Sequence, residues 1–438
     1  MEWFESIVLM FGCLIAIMVT GMPISFAFMF TCIIGASLFW GGASGLDQFA
    51  MSIYSSVANY TFLPIPLFVL MGDVIFASGV GTQIVGAVDK LLGKLPGRLS
   101  LLAIGSGVLL GTMIGISGGS IGILGRTLVP EMQSRGYKPA MIYGPIVSSG
   151  TLAILIPPSA LAVFIGAIGQ VSVGGLLMAI IVPGILLAIL FAAYIIIRCK
   201  LNPSLAPIYE VDKVSLGEKV RAFVYYILPI IIVILAVIGS VFAGVATPSE
   251  AAALGVIACL LLAALYRKLS FKMLFTSGMN TVRVTVMIFF IVVGSISFSR
   301  ILATTGAITE VIDLATTADF SPIYVIIFTQ VILFFLGMFM DPASIVMITA
   351  PIFFPLAKEL GYDPMWFAVI SLLNIQLGLI SPPFGLDCFT MKAVAPGDAT
   401  LGQVFKSSIP FLAIGLLLMI LIFAFHPLAT WLPGVTGG

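Results

Sequence analysis

Two stretches of the sequence decide how the rest folds: LAILIPPSALA at residues 152–162 and LGLISPPFGLD at residues 377–387. Each places a pair of prolines in the middle of an apolar run that otherwise has the character of a membrane helix. Proline removes a backbone donor, and its ring clashes with the carbonyl four residues earlier. The two stretches therefore predict two broken membrane helices, one in each half of the chain, with paired prolines that begin at Pro157 and Pro382.

The composition places both stretches in a membrane protein. The chain has 438 residues, of which 61% are hydrophobic and 8% are charged, whereas about 25% are charged in a soluble protein. The net charge of +1 gives no electrostatic case for binding nucleic acid. Apolar runs of about 20 residues, the length that crosses a bilayer, recur along the chain. We predict an all-α polytopic membrane protein with spans near residues 4–20, 22–41, 62–80, 139–169, 173–198, 222–242, 248–266, 280–302, 364–393 and 406–426.

Two further apolar segments are interrupted and do not fit as simple spans. Residues 99–135 are interrupted at the sequence ISGGS, and residues 321–360 are interrupted at MDPAS. Each half is shorter than the roughly 20 residues that a span needs. We interpret both segments as re-entrant helical hairpins, with tips near residues 117–120 and 341–344.

The two halves of the chain repeat each other. Pro23 and Pro248 share the offset of the paired prolines (248 − 23 = 382 − 157), and so do the GYxP motifs that begin at Gly136 and Gly361. Separate motifs that agree at one offset indicate a duplicated unit. The predicted division is a first repeat at 1–198, a cytoplasmic linker at 199–221 and a second repeat at 222–438, with broken helices at 139–169 and 364–393.

The predicted topology is inverted between the repeats. Each half has five crossings and one hairpin that returns to its own side, so the second half enters the membrane upside down. Lys and Arg favour cytoplasmic loops, and an outside N-terminus brings most of the 19 basic residues inside. Both termini then lie on the outer side of the membrane. The polar stretches 81–98 and 303–319 are predicted to lie along the inner and outer membrane surfaces.

Broken helices expose backbone groups inside the membrane, where each unsatisfied group costs several kcal/mol. Such groups are tolerated where they line a cavity or bind something: freed carbonyls suit Na⁺, and half-helix N-termini suit an anion. Serine oxygens and a carboxylate are also hard donors that suit an alkali cation. The alternative is that these small residues serve only close packing. The first predicted Na⁺ site comprises Ser117, Gly118, Gly119, Ser120, Gly150, Ala153 and Pro157, and the second comprises Asp341, Ala343, Ser344, Gly378, Ser381 and Pro382.

Charged residues inside the membrane are hypotheses for functional sites. Arg126 either faces an anionic substrate or is a buried structural arginine. Asp387 either faces the cavity or caps its half-helix. Asp73 is interpreted as a polar tie between helices, and Glu250 as a helix cap. The candidate substrate residues are Arg126, Ser149, Thr151, Asn374 and Asp387.

Several enzyme classes are excluded by what the sequence lacks. It has no P-loop, so this chain does not hydrolyse ATP through such a motif. Its five cysteines form no CxxC motif and its single histidine, His426, has no cysteine cluster beside it, so no zinc site or disulfide framework is supported. We predict a protein that is not an enzyme and has no cofactor other than sodium ions.

Several motifs resemble one family in order along nearly the whole chain. They include LPGRLSLLAIGSGVLLGTMIGISGGS at 95–120, GTLAILIPPS at 150–159, LGMFMDPASIVMITAPIFFPLAKELGYDP at 336–364 and NIQLGLISPPFGLDCF at 374–389. These segments resemble the large membrane subunit of TRAP transporters, the tripartite ATP-independent periplasmic transporters. The resemblance implies a bacterial inner-membrane protein with two partners, a small four-helix membrane subunit and a periplasmic substrate-binding protein.

The resemblance also implies a mechanism. Such subunits import organic acids, such as C4-dicarboxylates, sialic acid or sugar acids, driven by Na⁺ and by an elevator motion of the hairpins and broken helices. Ser117, Ser120 and Gly150 match the family pattern at the first sodium site. Asp341 and Ser381 match it at the second, where the family often has threonine at the position of Ser381.

This chain departs from the family pattern at its first tip, where SGGSIGILGR includes Arg126. Because of this departure, the resemblance does not predict which particular substrate this chain transports. The small subunit is expected as a separate chain. Two other functions stay open: a carboxylate or cation/proton exchanger that works without a binding protein, and a scaffold or receptor that does not transport.

Overall fold

The computed structural model describes residues 3–207, 209, 214–317, 321–395, 397 and 399–436. All regular secondary structure in these ranges is helical. The first half contains α1 (Trp3–Val19), α2 (Ile24–Phe39), α3 (Ala43–Val57), α4 (Pro64–Ser78), α5 (Val80–Leu91), α6 (Arg98–Ile114), α7 (Ser117–Ser134), α8 (Pro139–Leu155), α9 (Ala160–Ile168), α10 (Val173–Ala179) and α11 (Ile181–Leu201). The second contains α12 (Leu216–Ala222), α13 (Leu228–Phe242), α14 (Pro248–Leu265), α15 (Phe271–Thr304), α16 (Ala307–Thr317), α17 (Pro322–Phe339), α18 (Pro342–Glu359), α19 (Pro364–Leu379), α20 (Leu386–Val394), α21 (Leu401–Ala424) and α22 (Pro427–Thr436).

Each interrupted segment forms two helices with a short break. Gly115 ends α6 in the left-handed conformation that glycine adopts without strain, at φ +66°. The first tip therefore lies at residues 115–116, slightly before the predicted position, and residues 117–120 form the first turn of α7. In the second hairpin Asp341 is the N-cap of α18, and Pro342 occupies the first helical position that proline favours.

The paired prolines break the two later helices. α8 and α9 are separated by residues 156–159 and bend by 47° at this break. α19 and α20 are separated by residues 380–385. The peptide bonds Pro157-Pro158 and Pro382-Pro383 are both cis.

Helix bounds repeat at the offset that the motifs indicated. The first and last residues of α7 and α18 are related by the same offset as the paired prolines (342 − 117 = 359 − 134 = 382 − 157). The first residues of α8 and α19 are related by it as well (364 − 139 = 382 − 157). The duplication therefore extends to the helices themselves, while inversion of the second half across a membrane stays a prediction.

Seven helices in the described ranges are long and apolar enough to cross a membrane, or up to eight if α8 and α9 count as one span. The sequence predicted ten spans. Four predicted spans are missing from the seven: α1 and α2 have only 17 and 16 residues, the span 139–169 bends between α8 and α9, and the span 364–393 is divided into the short helices α19 and α20. One span is added, because α17, predicted as half of a hairpin, is long and apolar enough to cross a membrane. The helices confirm a polytopic all-α membrane protein.

Some polar segments form helices that the sequence did not predict. α3 and α22 fall outside every predicted element. α15 extends from residue 271 to 304, although the predicted span covered only 280–302. The additional first turns, FKMLFTSGM, mix polar and apolar residues, and this mixture conceals a helix that continues into an apolar span. Residues 208 and 210–213 of the predicted linker lie outside the described residues.

Packing divides the helices into two groups that meet at the breaks. In the first, called the frame group, α2, α4, α14 and α15 pack on one another. In the second, called the core group, α6 and α7 pack on α8, α17 and α18 pack on α19, α9 packs on α18, and α7 packs on α20. The two groups meet where α4 contacts α6 and α9 and where α15 contacts α18.

Candidate substrate and cation site

A cavity of about 280 Å³ lies where both hairpin tips and both broken helices meet. Its wall comes from the first tip, the second tip, the helix ends that flank the two breaks, and the frame helices α4 and α15. The polar side chains on this wall belong to the two tips and to the first turn of α20. The lining residues are Ile65, Val69, Gly115, Ile116, Ser117, Gly118, Ile154, Ala160, Leu161, Phe164, Val284, Ile288, Asp341, Pro342, Ala343, Leu379, Leu386 and Asp387.

The first tip lies directly against the first break. A Cβ atom at Gly115 would be 3.6 Å from the carbonyl oxygen of Pro158, and one at Gly150 would be 3.1 Å from the Cβ of Ser117. The hydroxyls of Ser120 and Thr151 are fully buried, and neither has a hydrogen-bond partner among the described residues. Each of these hydroxyls therefore has unused bonding capacity, since buried polar groups are otherwise bonded.

The second tip lies against the second break in the same way. The backbones of Gly337 and Gly378 touch, because a Cβ at Gly378 would be 2.6 Å from the Cα of Gly337. The rings of Phe339 and Phe384 pack with their centroids 5.3 Å apart. Because Gly378 has no side chain, α17 and α19 pack closely. This packing places the second tip beside the second break.

Asp341 caps the N-terminus of α18. One carboxylate oxygen accepts the backbone N–H of Ser344 at 3.1 Å, and the other accepts the Ser344 hydroxyl. An N-cap aspartate stabilises a helix by about 1 kcal/mol. Each carboxylate oxygen has a further lone pair, so capping leaves capacity for a cation at the cavity wall.

The other residues of the predicted sodium sites have mixed positions. Gly119 packs on Ile114 of its own hairpin, and Ala153 packs on Gly111 of α6. Gly118 and Ala343 line the cavity. The list is completed by Pro157, which is buried in the first break, and by Ser381, whose hydroxyl donates to the carbonyl of Pro382 at 3.3 Å in the second break.

Asp387 joins the two halves of the chain at the cavity wall. Its carboxylate is 3% exposed and accepts the Ser117 hydroxyl at 2.7 Å and the side-chain amide of Gln376 at 2.8 Å. Asp387 lies in the first turn of α20, yet it bonds to the tip of the opposite repeat and to α19. Of the two alternatives for this residue, the structure supports the position facing the cavity.

The remaining candidate substrate residues lie off this cavity. Arg126 is exposed on α7, so it is not a buried structural arginine. Ser149 faces Gly107 of α6 and donates to the carbonyl of Ile146. Asn374 ties α19 to α17, because its amide donates to the backbone carbonyl and the side chain of Gln330. Among the five candidates, only Asp387 lines the central cavity.

Sequence reasoning missed Gln376 and Gln330. Gln376 holds the Asp387 carboxylate, and Gln330 bonds to Asn374 and to the Ser371 hydroxyl. The available signal was an amide side chain inside an apolar run, which is costly in lipid unless it is bonded. Nothing in the run NIQLGLISPPFGLD indicates that Gln376 reaches a residue beyond the break.

Two other polar residues have the roles predicted for them. Asp73 accepts the Thr281 hydroxyl at 3.3 Å and so ties α4 to α15. Glu250 accepts the backbone N–H of Thr247 at 2.8 Å and completes a capping box at the start of α14. Both interpretations are confirmed.

A second, larger cavity of about 880 Å³ opens between the frame and core groups. Its wall includes Arg300 from α15, Lys358 and Glu359 from the end of α18, and Gln170 after α9. Arg300 is held in place by the hydroxyls of Ser52 and Ser55 at 3.0 and 3.2 Å. The predicted topology puts all these residues toward the outer face.

Within the described residues no group of three or more His, Cys, Asp or Glu side chains is placed to hold a metal ion. A transition-metal centre is thus not indicated there, since such centres use these ligands. The hydroxyls of the first tip and the Asp341 carboxylate of the second tip are instead hard oxygen ligands.

Two hairpins and two broken helices around one cavity define this chain as a polytopic membrane permease. The family described as tripartite ATP-independent periplasmic transporter, DctM component, matches residues 11–428, and the chain belongs to it. It is therefore a large membrane subunit of a TRAP transporter, a class of permeases and not of enzymes.

Relatives agree with this assignment, and a solved structure shares the fold. The chain is 31% identical over 397 residues to the C4-dicarboxylate TRAP transporter large permease protein DctM of Pseudomonas aeruginosa, over 88% of each chain. It is 26% identical to the ectoine/5-hydroxyectoine TRAP transporter large permease protein UehC of Ruegeria pomeroyi, over 96% of each chain. The fold is similar to the YdaH transporter of Alcanivorax borkumensis, with a TM-score of 0.65, 14% identity, and coverage of 92% of this chain and 99% of the other.

Proposed function

We propose that this chain carries an organic acid across the bacterial inner membrane, coupled to Na⁺, after a periplasmic binding protein has delivered the acid. The family supports secondary transport of an organic solute with a binding protein. A small four-helix membrane subunit completes the proposed complex, with both termini of this chain periplasmic. The observation that carries the proposal is the convergence of both tips and both breaks on one cavity.

Two sodium sites follow from the donors at each tip. The first uses the unpartnered hydroxyls of Ser120 and Thr151 with the carbonyls freed at the first break. The second uses the Asp341 carboxylate with the backbone around Ser381. Each site joins a hairpin tip to a broken helix, so an ion bound there holds the two together and shapes the cavity between them.

An elevator motion is the proposed means of transport. The core group carries the cavity and moves along the frame group, which the small subunit extends. The frame and core groups approach closely at Gly72, where a Cβ would be 2.5 Å from the carbonyl oxygen of Ile114. A bond from the Ser295 hydroxyl to the carbonyl of Met347, at 2.9 Å, also joins the groups. The larger cavity with Arg300 and Lys358 is the proposed entrance for an acid released by the binding protein.

The experiment is the thermal stability of the purified protein in Na⁺, K⁺ and choline at equal ionic strength. Sodium at ten times its dissociation constant stabilises by about 1.4 kcal/mol. We expect a rise in the melting midpoint that is specific to Na⁺ and is reduced in Ser120→Ala and in Asp341→Ser. The serine in the second variant keeps an N-cap oxygen while it removes the charge.

Two matched controls separate sodium binding from general damage. Ser106→Ala removes another buried hydroxyl without a partner, located in α6 away from the tip. Asp363→Ala removes another N-cap aspartate, which accepts the backbone N–H of Met365 at 2.7 Å. Both controls should keep the full Na⁺ shift. An equal shift in all three salts, or a shift that survives in both tip variants, contradicts the proposal.

The exchanger that works without a binding protein is the second candidate, and it makes a different prediction. It would transport after reconstitution alone, whereas the proposed complex needs both partners. Co-purification of a small membrane subunit with this chain, and uptake only when a binding protein is added, distinguish the two.

A further inference from the structure

The wall of the central cavity presents acceptors of hydrogen bonds and no basic side chain. Among its lining residues, all of them described, are Asp387 and Asp341 and no Lys, Arg or His. A solute with two carboxylates would therefore meet like charges and no basic side chain, so only the proposed sodium ions would pair with it. The polar surface of this cavity is built for a group that donates hydrogen bonds or carries positive charge.

The immediate surroundings of Asp387 sharpen this conclusion. Both donors to its carboxylate, the Ser117 hydroxyl and the Gln376 amide, are neutral. Its charge is thus bonded but is not paired with a cation in the described structure. A buried carboxylate ordinarily has such a partner, because desolvation disfavours the isolated charge.

The Gln376 side chain fixes the orientation of the Asp387 carboxylate. Its amide nitrogen must face Asp387, since the reverse orientation would bring an amide oxygen against a carboxylate oxygen. Its own oxygen, Oε1, is buried and has no donor among the described residues. Gln376 is completely buried and is not among the residues that line the cavity, so its unsatisfied acceptor marks a polar position beside Asp387 and not a contact with the solute.

We propose that Asp387, held by Gln376, binds a cationic N–H group of the transported solute. The substrate class is then a small acid that also carries an ammonium or amidinium group, rather than a plain dicarboxylate. The inference rests on the proposed function and deepens it, because it names the chemistry of the solute. A cavity of about 280 Å³ fits a small metabolite of this class.

A matched pair of probes tests the charge preference directly. β-Alanine and succinate share the same chain of two methylenes and one carboxylate, and they differ in an ammonium against a second carboxylate at the other end. Ectoine, a cyclic amidinium zwitterion, is a third probe. The melting midpoint of the purified full chain is measured against the concentration of each probe, at saturating Na⁺.

We expect β-alanine or ectoine to raise the midpoint of the wild type at concentrations at least tenfold lower than succinate. Asp387→Asn keeps the volume and one acceptor oxygen, and should weaken the effect of the zwitterions at least tenfold without weakening that of succinate. The control Asp73→Asn neutralises a membrane aspartate that does not line the cavity. It should leave the order of the probes unchanged.

Three outcomes overturn the proposal. The first is a wild type that neither zwitterion stabilises. The second is an Asp387→Asn protein that loses the effect of every probe by the same factor, which is the result of a purely structural tie. The third is an Asp387→Asn protein that loses only the rise in melting midpoint caused by Na⁺ and keeps the effects of all three probes, which would assign Asp387 to an inorganic cation. If wild type shows no Na⁺ shift at all, the proposed function fails instead, whatever the probes do.

Discussion

The substitution Gly111→Ala tests how the first sodium site is held together. A Cβ at Gly111 would be 2.4 Å from the Cα and 2.8 Å from the Cβ of Ala153 on α8. Non-bonded carbon atoms prefer about 3.5–4.0 Å, so α6 must move away from α8 by roughly 1 Å. Backbone atoms make up much of the contact, and they cannot move aside as a flexible side chain does.

The net cost of this substitution follows from two opposing effects. Overpacking of a well-packed contact costs about 1–3 kcal/mol. Replacing a mid-helix glycine by alanine raises the unfolding free energy by about 0.5–1 kcal/mol. We therefore expect a net destabilisation of about 1–2 kcal/mol. Because α8 carries Gly150 and Thr151 to the first tip, the displacement should also reduce the stabilisation by Na⁺.

The assay is thermal unfolding of the purified protein with and without Na⁺, with Gly105→Ala as the control. Gly105 lies in the same helix, and a Cβ there would meet only Val88 Cγ1 at an ordinary 3.6 Å. Gly105→Ala should be neutral or stabilising and should keep the Na⁺ shift. If Gly111→Ala unfolds at the temperature of the wild type with an unchanged Na⁺ shift, the close approach of α6 and α8 does not hold the site.

Three further substitutions have expected outcomes. Arg98→Lys should lower the unfolding free energy by about 1–3 kcal/mol. Arg98 is 6% exposed, forms an ion pair with the Asp89 carboxylate at 2.8 Å and donates to the backbone carbonyl of Asp89 at 2.8 Å. Unfolding at the wild-type temperature would contradict this. Trp366→Phe should lower the unfolding free energy by about 1–3 kcal/mol, because the carbonyl of Ile422 loses the indole N–H donor at 3.0 Å. An unchanged unfolding free energy would show that water takes the place of the indole donor. Arg126→Lys should leave the Na⁺ shift intact, since Arg126 is exposed on α7 and belongs to neither predicted sodium site; loss of that shift would show that Arg126 contributes to sodium binding, which was not predicted.

The breaks and tips are predictable from the sequence because their causes are local. Paired prolines cannot continue a helix, and a glycine or an aspartate followed by proline marks where a helix ends or begins. A repeated offset adds evidence that a single motif lacks. Such signals located α6 to α9 and α17 to α20 within a few residues.

Contacts between distant segments are not predictable in this way. The bond from Ser117 to Asp387 joins residues 270 positions apart, and no periodicity in either segment indicates it. Arg126 illustrates the reverse case, because a charge in an apolar segment suggests burial, and yet its position on the helix leaves it exposed. Which face of a membrane helix meets the cavity depends on packing that only the tertiary structure fixes.

The most direct test of the central claim is the binding of radioactive sodium to the purified protein. The wild type should bind ²²Na⁺ saturably, with no competition from K⁺. Ser120→Ala and Asp341→Ser should each remove part of this binding, and the double variant should remove it. Saturable binding that is the same in all four proteins would contradict the claim that the two hairpin tips and broken helices form the sites of the coupling ion.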